Sequence, residues 1–143
     1  MTTGKTCDVW RMATFITKAT STTKEKRGRR AQRSGVVAET IVCQLLRKEG
    51  WTIQGQRLRT EAGEVDIAAE LDGLLAIVEV KQRTTLAEAV ACLSLRHRHR
   101  LICAAEILLA THPDWGSNGI RFDVIVVDAA GSVRRIADAF RSE

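Results

Sequence analysis

Between Gly35 and Lys48 the apolar residues Val37, Ala38, Ile41, Val42, Leu45 and Leu46 recur at three- and four-residue spacing, one stripe of an amphipathic helix. Gly50 supplies a C-terminal stop, so the pattern predicts a helix over residues 35–48. Trp51, Ile53 and Leu58 mark a first strand. GEVDIAAEL and LLAIVEVKQR follow, separated only by Asp72 and Gly73, the dipeptide suited to a two-residue hairpin turn with positive φ. They are predicted as two antiparallel strands. Thr85 and Glu88 form a capping-box pattern and predict a short helix from about Leu86. Leu95, Ile102, Ala105 and Leu109 share one face of a second long helix, over 94–110, which must end before Pro113. Residues 120–127, apolar apart from Arg121 and Asp123, read as a strand covered on both sides, and residues 133–140 as a closing edge strand.

The order helix, three strands, helix, strand, strand predicts an α/β fold: a mixed sheet with helices against its faces. Residues 1–33 stand apart. They are rich in Thr, Lys and Arg, hold only the acids Asp8 and Glu25, and show no amphipathic period, so they read as a basic, mobile arm ahead of a domain at 34–143. Their composition is also similar to an organelle transit peptide, and Met12 is an alternative start.

At 143 residues, 45% of them hydrophobic, the chain suits one domain with a substantial core. The 22 Lys and Arg outnumber the 17 Asp and Glu, and a formal charge of +5 favours a polyanionic partner, nucleic acid first. The candidate contacts are Arg29, Arg30 and Arg33 before the first helix, Arg83 after the third strand, and Arg96, Arg98 and Arg100 on the second long helix. Such charge runs also occur on solvated tails and faces. His97 and His99, two apart, point to opposite sides of that helix, which excludes a shared metal and leaves them as surface or phosphate-facing residues. The four cysteines, Cys7, Cys43, Cys92 and Cys103, form no CxxC pair, which fits a reducing cytoplasm. No apolar run approaches the ~18 residues of a membrane span.

The chemistry lies on the predicted hairpin. A two-residue turn at Asp72 and Gly73 sets Asp66 opposite Glu79 and Glu64 opposite Lys81. With side chains alternating, these four share one face, and Val65, Ile67, Val78 and Val80 share the other. Facing carboxylates repel, so Asp66 and Glu79 need a cation or a raised pKa. Hard oxygen ligands favour magnesium, with manganese as its substitute, held by one or two carboxylates plus substrate phosphate oxygens. Lys81, two residues beyond Glu79, is placed to orient a water or to stabilise charge on a phosphate. The same alternation also describes the wet face of an ordinary sheet.

GVVAET, GEVDIAAEL, AIVEVKQR, RFDVIVVD and IADAF occur in the order and rough spacing of the bacterial YraN-like family of small predicted endonucleases, which the chain resembles over about residues 34–140. That family is similar in turn to archaeal Holliday-junction resolvases. The resemblance implies a restriction-endonuclease-like fold with an α-β-β-β-α-β core and a magnesium-dependent PD-(D/E)xK nuclease site. By position it implies that Glu39 on the first helix joins Asp66 and Glu79 in holding the metal, with Lys81 as the catalytic lysine. Ala38 stands where the family usually has glycine, and SLRHRHR replaces a segment that usually carries lysine. By analogy with the resolvases, a homodimer fits.

The expected function is therefore a metal-dependent endonuclease acting on DNA in preference to RNA, branched or repair intermediates included. Two other readings fit the same residues: a non-catalytic nucleic-acid-binding module with the same fold, and a protein-interaction domain whose basic arm meets an acidic partner.

Overall fold

The structure, a computed structural model, describes residues 22–141, with 22–34 known by backbone path alone. Helix α1 spans Thr22–Lys48. Strands β1 (Thr52–Thr60), β2 (Gly63–Leu71) and β3 (Leu74–Gln82) follow. Helices α2 (Leu86–Ala91) and α3 (Leu95–Thr111) then lead to β4 (Ile120–Val127) and β5 (Val133–Phe140). The five strands form one sheet in the order β1-β2-β3-β4-β5. β3 and β4 run parallel and the other neighbours antiparallel. The expected α/β fold, a mixed sheet with flanking helices, is the one observed. Among the described residues, no helix is long and apolar enough to cross a membrane.

Helix α1 begins earlier than the predicted 35. Residues 22–34 lack an apolar stripe, which hid them from a periodicity reading, but Lys and Arg are good helix formers and extend an existing helix at little cost. Residues 1–21 of the predicted arm lie outside the described residues. The stop is where the glycine placed it. Gly50, at φ 95°, donates to Arg47 O at 3.1 Å, and Trp51 N donates to Leu46 O at 2.9 Å, the paired bonds of a Schellman motif.

The hairpin turn is also as read. Asp72 and Gly73 have φ of 51° and 79°, and the ladder above them pairs Leu71 with Leu74, Ala69 with Ala76, and Ile67 with Val78. There it ends: Asp66 and Glu79, and Glu64 and Lys81, are not ladder partners, contrary to expectation.

Each face of the sheet buries its own core. Ala38, Val42, Cys43 and Leu46 of α1 pack with Trp51, Ile67, Ala69, Ala76, Val78, Ile125 and Val127. On the opposite face, Leu101, Ala104, Ala105 and Leu108 of α3 pack with Val65, Ala68, Leu75, Ile77, Phe122, Val124 and Val126. Val65 and Ile67, two apart on β2, thus serve opposite cores, and the expected common face for Val65, Ile67, Val78 and Val80 does not hold. The change of face coincides with a gap in the β1–β2 ladder. Arg57 on β1 has a left-handed φ of 49°, and the ladder pairs Gln56 with Ile67 and Leu58 with Val65 but skips Arg57 and Asp66.

The Asp72–Gly73 turn generates the first prediction. A Cβ on Gly73 would lie 2.6 Å from Asn118 Nδ2, and Asn118 is held by its amide bond to Asp72 O at 2.5 Å and by Asn118 N to Gly73 O at 2.9 Å. Gly131 has a similar φ of 83° with nothing within 4 Å of an added Cβ. Gly131→Ala should therefore cost only the left-handed strain of about 1–2 kcal/mol. Gly73→Ala should cost more, with chemical denaturation as the measurement; equal losses would show that the Asn118 contact yields freely.

Candidate active site

In an unbroken hairpin, Val80 N–H would face Val65 across the ladder, because alternate pairs outward from the turn exchange both bonds. It instead donates to Asp66 Oδ2 at 2.9 Å. The carboxylate has taken the place of a backbone carbonyl, and β2 and β3 part at the level of Asp66 and Glu79. The two side chains still sense each other, since each carboxyl lies in the other's field at the end of the ladder.

Glu79 is buried, with its side chain 8% exposed, and one of its oxygens carries two donors: Lys81 Nζ at 3.2 Å and His97 Nε2 at 3.1 Å, both on Oε1. Glu39, also buried, accepts from Arg57 Nε at 2.9 Å through Oε2. Two carboxylates therefore have cationic partners. Asp66 forms no ion pair among the described residues; its bond is to a neutral backbone N–H. Among the described residues, Arg135 Nε is the only buried side-chain nitrogen or oxygen lacking a hydrogen bond. Asp66 Oδ1 and Glu79 Oε2, which accept none there, are therefore not fully enclosed.

Proton affinities follow from this arrangement. Burial pushes the Asp66 carboxyl up to about 8, and the neighbouring Glu79 and Glu39 charges add to the rise, while the Val80 N–H and Lys81 oppose it. Burial also pushes Glu79 upward, but the His97 hydrogen bond and the Lys81 charge outweigh it and hold Glu79 below the ordinary glutamate value. Of two neighbouring acids, Glu79 keeps its charge and Asp66 keeps the proton.

The structure thus groups Asp66, Glu79 and Lys81. Glu39 lies close enough to act on Asp66 electrostatically, but its own bond is to Arg57. Among the described residues no group of three or more His, Cys, Asp and Glu is arranged to hold a metal ion. Any ion here would rest on the two open carboxylate oxygens, a donor set that suits magnesium, which keeps several waters and takes phosphate oxygens from substrate. The arginines divide. Arg100 lies beside Gly63, where an added Cβ would be 3.4 Å from its Nε, so it flanks the β1–β2 turn. Arg98 turns the other way, donating to Leu93 O at 3.2 Å and lying over the Phe140 ring. Arg83, exposed, donates to Gln82 O, and Arg96 is exposed at the first turn of α3. The side chains of Arg29, Arg30 and Arg33 lie outside the described residues.

Two residues were missed by the sequence reading. His97 was read as a surface or phosphate-facing residue but bonds Glu79, and Arg57 was not singled out at all. His97 had a usable signal. Ser94 caps α3 by accepting from His97 N at 3.1 Å, which puts His97 in the first turn, and that turn follows β3 closely enough to stay near Lys81. His99 has a separate partner, Cys103 Sγ at 3.6 Å, so the two histidines do diverge as expected. Nothing in the sequence marks Arg57, whose partner Glu39 lies on another element.

Residues 38–127 match the family model described as "Uncharacterised protein family UPF0102". The chain belongs to the UPF0102 family. It is 62% identical over 118 residues to a UPF0102 protein of Granulibacter bethesdensis, covering 82% of this chain and 75% of the relative. A UPF0102 protein of Azorhizobium caulinodans is 40% identical over 122 residues, covering 85% and 93% respectively, and one of Acidiphilium cryptum 42% identical over 115 residues, covering 80% and 89%. The UPF0102 match spans Glu39, Asp66, Glu79, Lys81 and His97, so the whole candidate site lies inside the family region.

For this UPF0102 protein the raised Asp66 carboxyl predicts a pH effect. The folded state retains a proton that the unfolded chain releases near pH 4, so this group's contribution to stability is complete below that value and is lost as pH rises through about 8. Glu79 acts in the opposite sense and in another window, its contribution being present above its ordinary value of 4.5 and lost as pH falls further. In chelator, the thermal midpoint should decline from about pH 5 to about pH 8, and Asp66→Asn should flatten that decline. Calorimetric melts at several pH values measure it; an equal slope in the variant would refute the assignment.

Proposed function

We propose that this chain is a magnesium-dependent endonuclease of the PD-(D/E)xK type that hydrolyses phosphodiester bonds in DNA, with manganese as a substitute ion. One observation carries the reading: half-buried Asp66 and buried Glu79 are neighbours where β2 and β3 part, each with one carboxylate oxygen that accepts no hydrogen bond among the described residues, and Lys81 stands two residues along β3 on Glu79. Holding adjacent carboxylates away from water is costly unless a cation joins them, and Asp66 forms no ion pair among the described residues. The residues present fit a hard divalent ion held by Asp66 and Glu79. When bound, the ion supplies Lewis-acid polarisation of the phosphodiester.

The chain's own groups supply the remainder. Lys81 presents an ammonium, its side chain 19% exposed, that can orient an attacking water and stabilise negative charge developing on the phosphate. Arg57 holds Glu39 against the site and adds a positive charge beside Asp66, keeping the potential near the phosphodiester from becoming too negative to admit it. Arg100, at the β1–β2 turn, and exposed Arg96 and Arg83 offer phosphate contacts. Branched DNA is the substrate class to which the resolvase likeness points.

Metal and turnover should separate by residue. Asp66→Asn and Glu79→Gln should weaken magnesium binding in calorimetry. Lys81→Ala should leave it nearly unchanged and reduce cleavage by on the order of 10²–10³-fold. Single-stranded, duplex and four-way-junction DNA are the substrates to assay. If none is cut in magnesium or manganese, or if Lys81→Ala cuts as well as wild type, a non-catalytic nucleic-acid-binding module takes the place of this reading.

A further inference from the structure

His97 lies outside the Asp66, Glu79 and Lys81 set, yet its placement on Glu79 is specific. Its Nε2 and Lys81 Nζ meet the same atom, Glu79 Oε1, at 3.1 and 3.2 Å. Oε2 of that carboxylate is left with no hydrogen bond among the described residues. A carboxylate only accepts, so His97 is the donor through Nε2–H, and a neutral imidazole suffices. The imidazole is carried on a rigid support. Ser94 Oγ accepts from His97 N at 3.1 Å and Arg98 N donates to Ser94 O at 3.0 Å, while Leu101, Ala104, Ala105 and Leu108 anchor α3 in the core. The side chain of His97 is 21% exposed, more enclosed than a surface histidine needs to be.

Lys81 has two duties that compete. Its ammonium is Glu79's partner in the substrate-free protein, and under the proposed function it must also face the phosphate. When it turns to the phosphate, a buried carboxylate loses a donor. We infer that His97 is a positioning residue for Glu79: it holds Oε1, directs Oε2 toward the divalent ion, and keeps Glu79 partnered while Lys81 engages the phosphodiester. The inference rests on the metal-site reading above. Hydrogen-bond partners of ligating carboxylates orient them in this way, and their loss typically lowers metal affinity about 10- to 100-fold.

The test uses the full chain with Mn2+ alone, titrated calorimetrically into wild type, His97→Ala, His97→Gln, Lys81→Ala and the His97→Ala/Lys81→Ala double variant, each checked for folding by circular dichroism. His97→Ala should weaken Mn2+ binding about 10- to 100-fold at an unchanged melting transition. His97→Gln, which retains an N–H donor, should recover most of the loss. The double variant should lose more than the two single losses combined, because each donor covers for the other on Oε1. In the metal-free protein, imidazole 15N shifts should show the Nε2–H tautomer and move in Glu79→Gln. Wild-type affinity in His97→Ala overturns the inference and leaves the metal site standing. Failure of Gln to rescue overturns it as well, since the imidazole would then act as more than a donor. Wild type that binds no Mn2+ overturns the metal-site reading and this inference with it. An imidazole indifferent to Glu79→Gln overturns the contact itself.

Discussion

The hydrogen bond from Val80 N–H to Asp66 Oδ2 is the interaction on which the site depends. It ends the β2–β3 ladder after Ile67 and Val78, because the donor that would continue the pairing is already taken. The skipped Arg57–Asp66 pair on the other side of β2 and the left-handed φ of Arg57 coincide with the strand's change of face. From that point Val65 packs under α3, while Ile67 packs under α1. A regular hairpin would have bridged this gap. The parted strands instead hold two acids where the β2–β3 ladder stops, Glu79 buried and Asp66 half-buried.

Charge is distributed unevenly across that opening. Glu39 has Arg57, and Glu79 has Lys81 and His97, but Asp66 has a neutral amide. Burial and two acidic neighbours then make Asp66 the group that holds a proton. An added cation would displace that proton, relieve the repulsion and use the open oxygens at once. The position is one that many structural ion pairs do not share, since those neutralise each carboxylate with a nearby side chain.

The crossover between β3 and β4 brings the third donor. Parallel neighbours cannot be joined by a tight turn, so the chain crosses the sheet through α2 and α3 before β4 begins. α3 starts at the end of β3 that carries Glu79 and Lys81, and its first turn presents His97 to Glu79 while its apolar face covers Leu75, Ile77 and Val124. The basic residues on α3 are split by the same geometry, with Arg100 toward the β1–β2 turn and Arg98 toward Phe140.

Elements and turns were legible in the sequence because they rest on local physics. The stripe from Val37 to Leu46, the stop at Gly50, the Asp72–Gly73 turn, the Thr85 cap and the alternation through Glu79 and Lys81 each depend on residues within a few positions of one another. The hairpin register followed from its turn as far as Ile67 and Val78. Beyond that pair the outcome depended on contacts distant along the chain. Asp66 captured the Val80 amide, Arg57 reached Glu39 from another element, and the packing of α3 set His97 against Glu79. The sequence by itself named the acids and the lysine; only the tertiary structure decided which acid stands without an ion-pair partner among the described residues, because that depends on which long side chains the sheet and helices bring within reach.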